Sequence, residues 1–521
     1  MGRALVPRRL EQPLLLGAAG ALLTMVALVP LLALAGEAFA ANLAGVARTL
    51  GAARTWELFG SSLALAASVT VLALLVGLPL GLLLGRADVS GRNTALWLHA
   101  FPLFLPPFLL ALGWFHVFGR TGVLGNAGTA AALFSPIGAA IVLALALAPV
   151  VTLLVAVALQ AVDPSLEEAA LIAGGPWRTA TRILLPLSRP AVALGALVVF
   201  SLVFSELGVP MFLRVGVYPA MVFARLGGVD YAPGEAVALS LPLVAVSTVL
   251  LLAERRAAGR RSFAALGLRT REVPALALGR WRGAATGAAW ALAVLPLAPV
   301  AALAWRAGTG FRELPRWLGA SPVNSLVSTL AAATFTLLVA VPVGHAAARG
   351  LRGGAGLDAL AVLAFLTPAS VLGAGLIGAW NRPATEAVYA SLAVVAVALA
   401  ARYAAIGLRT AAVVFAQSPP HLEEAAAVSG AGFLRRLGRI LIPIHARGLG
   451  AAWLLTALFC LRDLEAAVLI YPAGSEPLTV RIFTLEANGP PAVVAALACS
   501  QVALSAGVLA LGALALLRRR A

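Results

Sequence analysis

Apolar runs of membrane-spanning length recur along this chain, and they fix the class of structure it can adopt. A transmembrane helix needs about 20 mostly apolar residues, because the hydrocarbon layer has no water to satisfy an open backbone. Uncharged runs cover 12–36, 58–85, 93–119, 121–162, 283–305, 317–348, 359–381 and 487–517, with a shorter one at 236–253. Three more spans, at 190–212, 387–409 and 446–470, carry charge. The run 121–162 exceeds one helix; Gly122, Gly125, Gly128, Ser135 and Pro136 assign its beginning to an outer loop and start the span near 137. The expected total is twelve spans, an all-α membrane protein. The first span imitates a secretory signal, with a basic start and Ala38-Phe39-Ala40, but its 25-residue run is too long for a signal core and reads as an uncleaved helix.

Composition excludes the alternatives. Charged residues make up only 11% of 521, about half the share of a soluble domain, so several solvated cores are ruled out. Disorder needs low hydrophobicity, and 61% of the residues are hydrophobic. The net charge of +17 would suit a nucleic-acid binder, but the charge lies between spans and not along one face. All 38 basic residues are Arg. A cytoplasmic N-terminus puts most of them on the inner side, so both termini are expected in the cytoplasm. The segment 254–282 carries Arg255, Arg256, Arg260, Arg261, Arg269, Arg271, Arg280 and Arg282 and reads as a cytoplasmic linker. It separates a first half, 1–253, from a second, 283–521. Cys460 and Cys499 sit in apolar runs and read as core residues.

The halves repeat. Ser62, Pro79, Gly81 and Arg86 recur as Ser325, Pro342, Gly344 and Arg349. Glu167-Glu168-Ala169-Ala170 and Gly174 recur as Glu423-Glu424-Ala425-Ala426 and Gly430, while Pro186, Glu206 and Leu207 recur as Pro443, Asp463 and Leu464. Six spans per half is an even number, so the repeat is parallel, a pseudo-dimer about an axis along the membrane normal.

Between the fourth and fifth spans of each half, DPSLEEAALIAGGPWRTATRILLPL (163–187) and SPPHLEEAAAVSGAGFLRRLGRILIPI (418–444) predict a short helix, a glycine turn and a basic stretch leading back into the membrane. Asp163 and Ser418, each followed by Pro, suit helix N-caps. An ordinary interfacial helix gives no reason for the same order in both halves. The second copy, Glu424-Ala425-Ala426 with Gly430, Ile440, Ile442 and Pro443, closely resembles the EAA loop of binding-protein-dependent ABC importer permeases. The first copy departs by one residue fewer between Gly174 and Pro186.

The resemblance implies the type I importer permease fold, in a bacterial cytoplasmic (inner) membrane. It also implies two partners: an ATPase subunit, expected in two copies, and an extracytoplasmic solute-binding protein. The loops would dock in the ATPase. Glu167, Glu168, Glu423 and Glu424 would cap or pair with its basic groups, Ala169, Ala170, Ala425 and Ala426 would permit close approach, and Gly174 and Gly430 would make the turn. The chain has no Lys and so no P-loop; it is expected to bind no cofactor, with ATP used by the partner. A twelve-span secondary transporter is the other class, but it would not need twin loops.

Polar groups inside the spans are the clue to the path. Glu206 and Asp463 occupy equivalent positions, with Arg462 and Glu465 flanking Asp463. These acids either cap outer helix ends or form an acidic vestibule that receives a cation. The segment from Arg462 to Phe483 is similar to the ferric-iron branch of the family; thiamine, polyamine and sulfate-type permeases are the alternatives. His99, His116, His345, His421 and His445 lack metal-ligand spacing and are expected to be interfacial or packing residues. Gly77, Gly81 and Gly85 are expected to permit close helix contact. No nucleophile–base pair is visible, so no covalent catalysis is expected.

Overall fold

The computed structural model describes residues 6–40, 43–227, 232–258 and 275–518, and these are overwhelmingly helical. Much of the predicted linker, including Arg260, Arg261, Arg269 and Arg271, lies outside the described residues. Among the described residues nine helices are long and apolar enough to cross a membrane, or up to twelve if each sharply bent pair is one span. The spans of the first half are α1 (Leu10–Gly36), α2 (Ala53–Arg86), the bent α3 (Arg92–Phe104 and Pro107–Phe118), α4 (Pro136–Gln160), α5 (Leu185–Ser205) and α6 (Gly234–Arg256). Those of the second half are α7 (Gly279–Ala307), α8 (Ser321–Ala348), the bent α9 (Gly354–Leu366 and Ala369–Trp380), α10 (Leu392–Ala416), α11 (Ala446–Leu461) and α12 (Pro491–Leu517).

The third span of each half departs from the straight helices expected at 93–119 and 359–381. The two limbs of α3 meet at 103° and those of α9 at 108°. Pro106 and Pro368 cause both breaks, since the residue before a proline is driven out of the helical region. Leu105 and Thr367 are accordingly extended. The fifth and eleventh spans also stop short of the ends expected at 212 and 470, at Ser205 and Leu461.

α2 packs along α4, and α8 along α10. The glycine face is what permits the approach. A Cβ on Gly77 or Gly81 would lie 2.7 Å from Val151 or Val155, and one on Gly344 would lie 2.8 Å from Ala411. The same bond closes the far end of each half. Ser62 Oγ accepts from the backbone N–H of Tyr218 at 2.7 Å, and Ser325 Oγ from that of Leu478 at 2.8 Å.

The halves of the sequence exchange their first helices in space. α1 packs on α8 and α9, and α7 packs on α2 and α3. Each crossing has a glycine under a proline carbonyl. A Cβ on Gly375 would lie 2.3 Å from the Pro30 oxygen, and one on Gly113 would lie 2.4 Å from the Pro299 oxygen. The described end of the linker is strapped to the first half as well: Leu276 N–H donates to the Arg86 carbonyl at 2.8 Å, and Asp88 accepts from Leu278 N–H at 3.0 Å.

Candidate functional site

The twin loops lie at one end of the bundle. The first is a helix, Pro164–Thr179, interrupted at Gly175 and continuing through a π turn into α5. Asp163 caps it as expected, accepting from Ser165 N–H at 2.9 Å. The second loop helix is His421–Val428, followed by Phe433–Arg436. Ser418 does not cap it. Its carbonyl and hydroxyl oxygens instead each take a guanidinium N–H of Arg349 at 3.0 Å.

The first glutamate of each loop faces inward, not toward a partner. Glu167 is buried and ion-paired with Arg86 at the end of α2. Glu423 is buried and takes Arg349, at the end of α8, at 2.7 Å on one oxygen and His345 at 2.9 Å on the other. Burial works against the Glu423 carboxylate, but the bonds from His345 and Arg349 outweigh it and hold its pKa below the ordinary glutamate value. Arg86 and Arg349 are repeat counterparts, so one Arg–Glu pair anchors each loop to the helix behind it.

The outer faces are what remain for a partner. Glu168, Ala169, Glu424 and Ala425 are exposed; Ala170 and Ala426 are half-buried. Leu166, Ala169 and Ile172 form an exposed stripe at helical spacing, and Leu422, Ala425 and Val428 form the same stripe in the second loop. Ile172 is 89% exposed and Val428 90%, too much for apolar side chains that serve only the fold. Gly430 makes its turn at φ +83°, but in the first loop the left-handed residue is Gly175, at +71°, and not Gly174. Gly175 stands where the second copy has Ala431, and the turn moves by that one position.

A second polar cluster lies between the halves. Asp463 Oδ1 accepts from Ala466 N–H at 2.8 Å, and Glu206 Oε1 from Val209 N–H at 3.2 Å. Both acids thus cap the chain three residues on. Asp463 and Glu465 do not stand open to a vestibule. They are buried against Arg402, which lies 3.3 Å from Asp463 and 2.5 Å from Glu465; Tyr403 donates its hydroxyl to Asp463 at 2.6 Å. Glu206 alone of the three stays partly exposed. Among the described residues no three His, Cys, Asp or Glu side chains gather as metal ligands.

Sequence reasoning missed Arg402 and His345. Arg402 has Ala146 at the corresponding place in α4, so the repeat hid it; its charge inside a span was the available signal. His345 is one helical turn before Arg349, on the same face.

Residues 77–262 match the family described as the binding-protein-dependent transport system inner membrane component. The molybdenum transport system permease protein of Mycobacterium tuberculosis is 30% identical over 202 residues, 36% of this chain and 74% of that protein. The chain belongs to this permease family. The ferric transport system permease protein of Actinobacillus pleuropneumoniae is 24% identical over 493 residues, covering 87% of this permease and 70% of its own length. The molybdate/tungstate permease protein of Thermococcus kodakarensis is 27% identical over 197 residues, 38% of this chain and 74% of that protein. The permease is therefore a multi-pass inner-membrane transport subunit of an ABC importer, and its family works with a binding protein and an ATPase.

Proposed function

We propose that this permease carries ferric iron from an extracytoplasmic binding protein into the cytoplasm, with ATP hydrolysed by two copies of a separate subunit. One observation carries the substrate reading: the ferric relative matches along 87% of the chain, through both halves, whereas the molybdenum permease is matched over 36%. The reading divides the chain into 1–253, a cytoplasmic linker at 254–282, and 283–521, with both termini cytoplasmic. The stripes Leu166–Ala169–Ile172 and Leu422–Ala425–Val428 enter grooves of the two ATPase copies. Glu168 and Glu424 meet basic groups there. When the ATPase copies close, each loop is pulled, and the anchors Arg86–Glu167 and Arg349–Glu423 pass the displacement to α2 and α8. Glu206, partly exposed, is the acid left to meet a cation on the path.

A second reading has its own support. The molybdenum permease is 30% identical, and Arg462, which no carboxylate pairs among the described ion pairs, stands at the seam between the halves; both suit an oxyanion. Uptake by proteoliposomes containing the permease, its ATPase and its binding protein decides between them. Labelled iron accumulating with ATP supports the first reading. Molybdate accumulating in its place refutes it.

A further inference from the structure

The turn after α11, Arg462 to Glu465, grips the opposite half at two places. Arg462 donates to the Leu103 carbonyl at the break of α3. Glu465 accepts from the backbone N–H of Leu207, just past α5, at 2.8 Å. Leu207 and Leu464 are repeat counterparts, as are Gly208 and Glu465, and the contacts cross between the two pairs: Leu207 meets Glu465, and a Cβ on Gly208 would lie 3.0 Å from Leu464. In a two-fold arrangement, counterparts meet only where the axis runs. This turn therefore sits on the axis between the halves, where a path between them has to open. Aromatic rings close the same seam: Phe104 lies 6.4 Å from Phe459, and Phe108 lies 5.2 Å from Phe483.

The grip is one-sided. Ser205 and Gly208 stand where the second half has Arg462 and Glu465, and Ala146 and Leu147 where it has Arg402 and Tyr403. The first half supplies only backbone groups to these bonds. That asymmetry bears on the energetics of opening. If the halves part, Glu465 loses the Leu207 N–H but keeps Arg402 in its own half. Opening then breaks two hydrogen bonds, while Glu465 keeps Arg402 and Arg462 keeps the Phe459 ring of its own half, 5.1 Å away, so neither charge is left without a partner. A bond that can be broken this cheaply, on the axis, is suited to a gate.

We propose that Arg462 and Glu465, with Glu465 held by Arg402, form a latch that closes the path at the axis, and that each transport cycle parts it. The proposal rests on the importer reading above and deepens it by naming the residues that gate the path.

Cys460 and Cys499 are replaced by Ala, and Cys is placed at Phe104 and Phe459. This parent is reconstituted with the ATPase and the binding protein and treated with a short bis-thiol crosslinker. Crosslinking is expected to be fast at rest and to slow when the binding protein and trapped nucleotide hold the complex open. Glu465→Gln weakens the bond to Leu207, and Arg462→Gln removes the bond to Leu103. Each is expected to slow resting crosslinking and to raise ATP hydrolysis without binding protein by about tenfold, equivalent to about 1.4 kcal/mol. The two variants probe separate bonds, so if one fails to insert, the other decides. Parent-like behaviour of an inserted variant overturns the latch, as does crosslinking in the parent that ignores nucleotide while uptake continues. The unaltered permease is reconstituted alongside, and its failure to bind the ATPase and transport overturns the importer reading instead.

Discussion

Glu423→Ala separates an anchor from a docking contact. Its carboxylate takes Arg349 on one oxygen and His345 on the other, with the Glu423 and Arg349 side chains only 11% and 12% exposed. Removing one partner of a buried ion pair costs about 3–5 kcal/mol, and the small residual exposure places this one near about 3. Glu424 is its exposed neighbour, and surface substitutions stay within about 0.5 kcal/mol. Glu423→Ala is thus expected to lower the thermal midpoint of the detergent-solubilised permease and to weaken ATPase co-purification. Glu424→Ala should leave the midpoint unchanged and weaken co-purification alone. A double-mutant cycle with Arg349→Ala should return a coupling of about 1–3 kcal/mol. Equal midpoints for Glu423→Ala and Glu424→Ala, or no coupling to Arg349, would refute the anchor.

Other consequences follow from the same geometry. Gly175→Ala and Gly430→Ala force alanine into the left-handed region at about 1–2 kcal/mol each and should reduce ATP-driven uptake. Gly174→Ala meets only the Arg178 side chain, at 2.9 Å from its Cδ and 3.1 Å from its Cβ, and should reduce uptake less than Gly175→Ala. Because the Glu423 pKa is depressed on folding, its contribution is full above the ordinary glutamate range and is lost as pH falls through the depressed value; acid thermal melts should show a drop that Glu423→Gln lacks. Gly113→Val and Gly375→Val should each displace the exchanged first helix of the other half, read as a lower yield of folded permease. A single Cys at Ser262 should resist labelling from outside intact cells, and labelling there would overturn the six-plus-six topology.

The sequence held the spans and the repeat plainly, because hydrocarbon demands long apolar helices and two copies of one half must share their glycines and prolines. Arg86 and Arg349 were visible as repeat counterparts, yet only the fold showed that they turn Glu167 and Glu423 inward. Six uncharged residues on either side of Pro106 look the same whether the helix runs straight or bends by 103°, so the breaks in α3 and α9 were not legible. The exchange of α1 and α7 was hidden because a crossing between distant helices leaves only single glycines, Gly113 and Gly375, as its trace. The acids were harder still. Glu206 and Asp463 align in the repeat, but Arg402, which decides that Asp463 is paired and not open, has no counterpart in the first half.

Single Cys residues at Ile172 and Val428 test the central claim most directly. In membranes that also contain the ATPase, with Cys460 and Cys499 replaced, both positions are predicted to crosslink to the ATPase, and crosslinking is predicted to stop ATP-driven uptake. Uptake that continues while neither position reaches the ATPase would contradict the account.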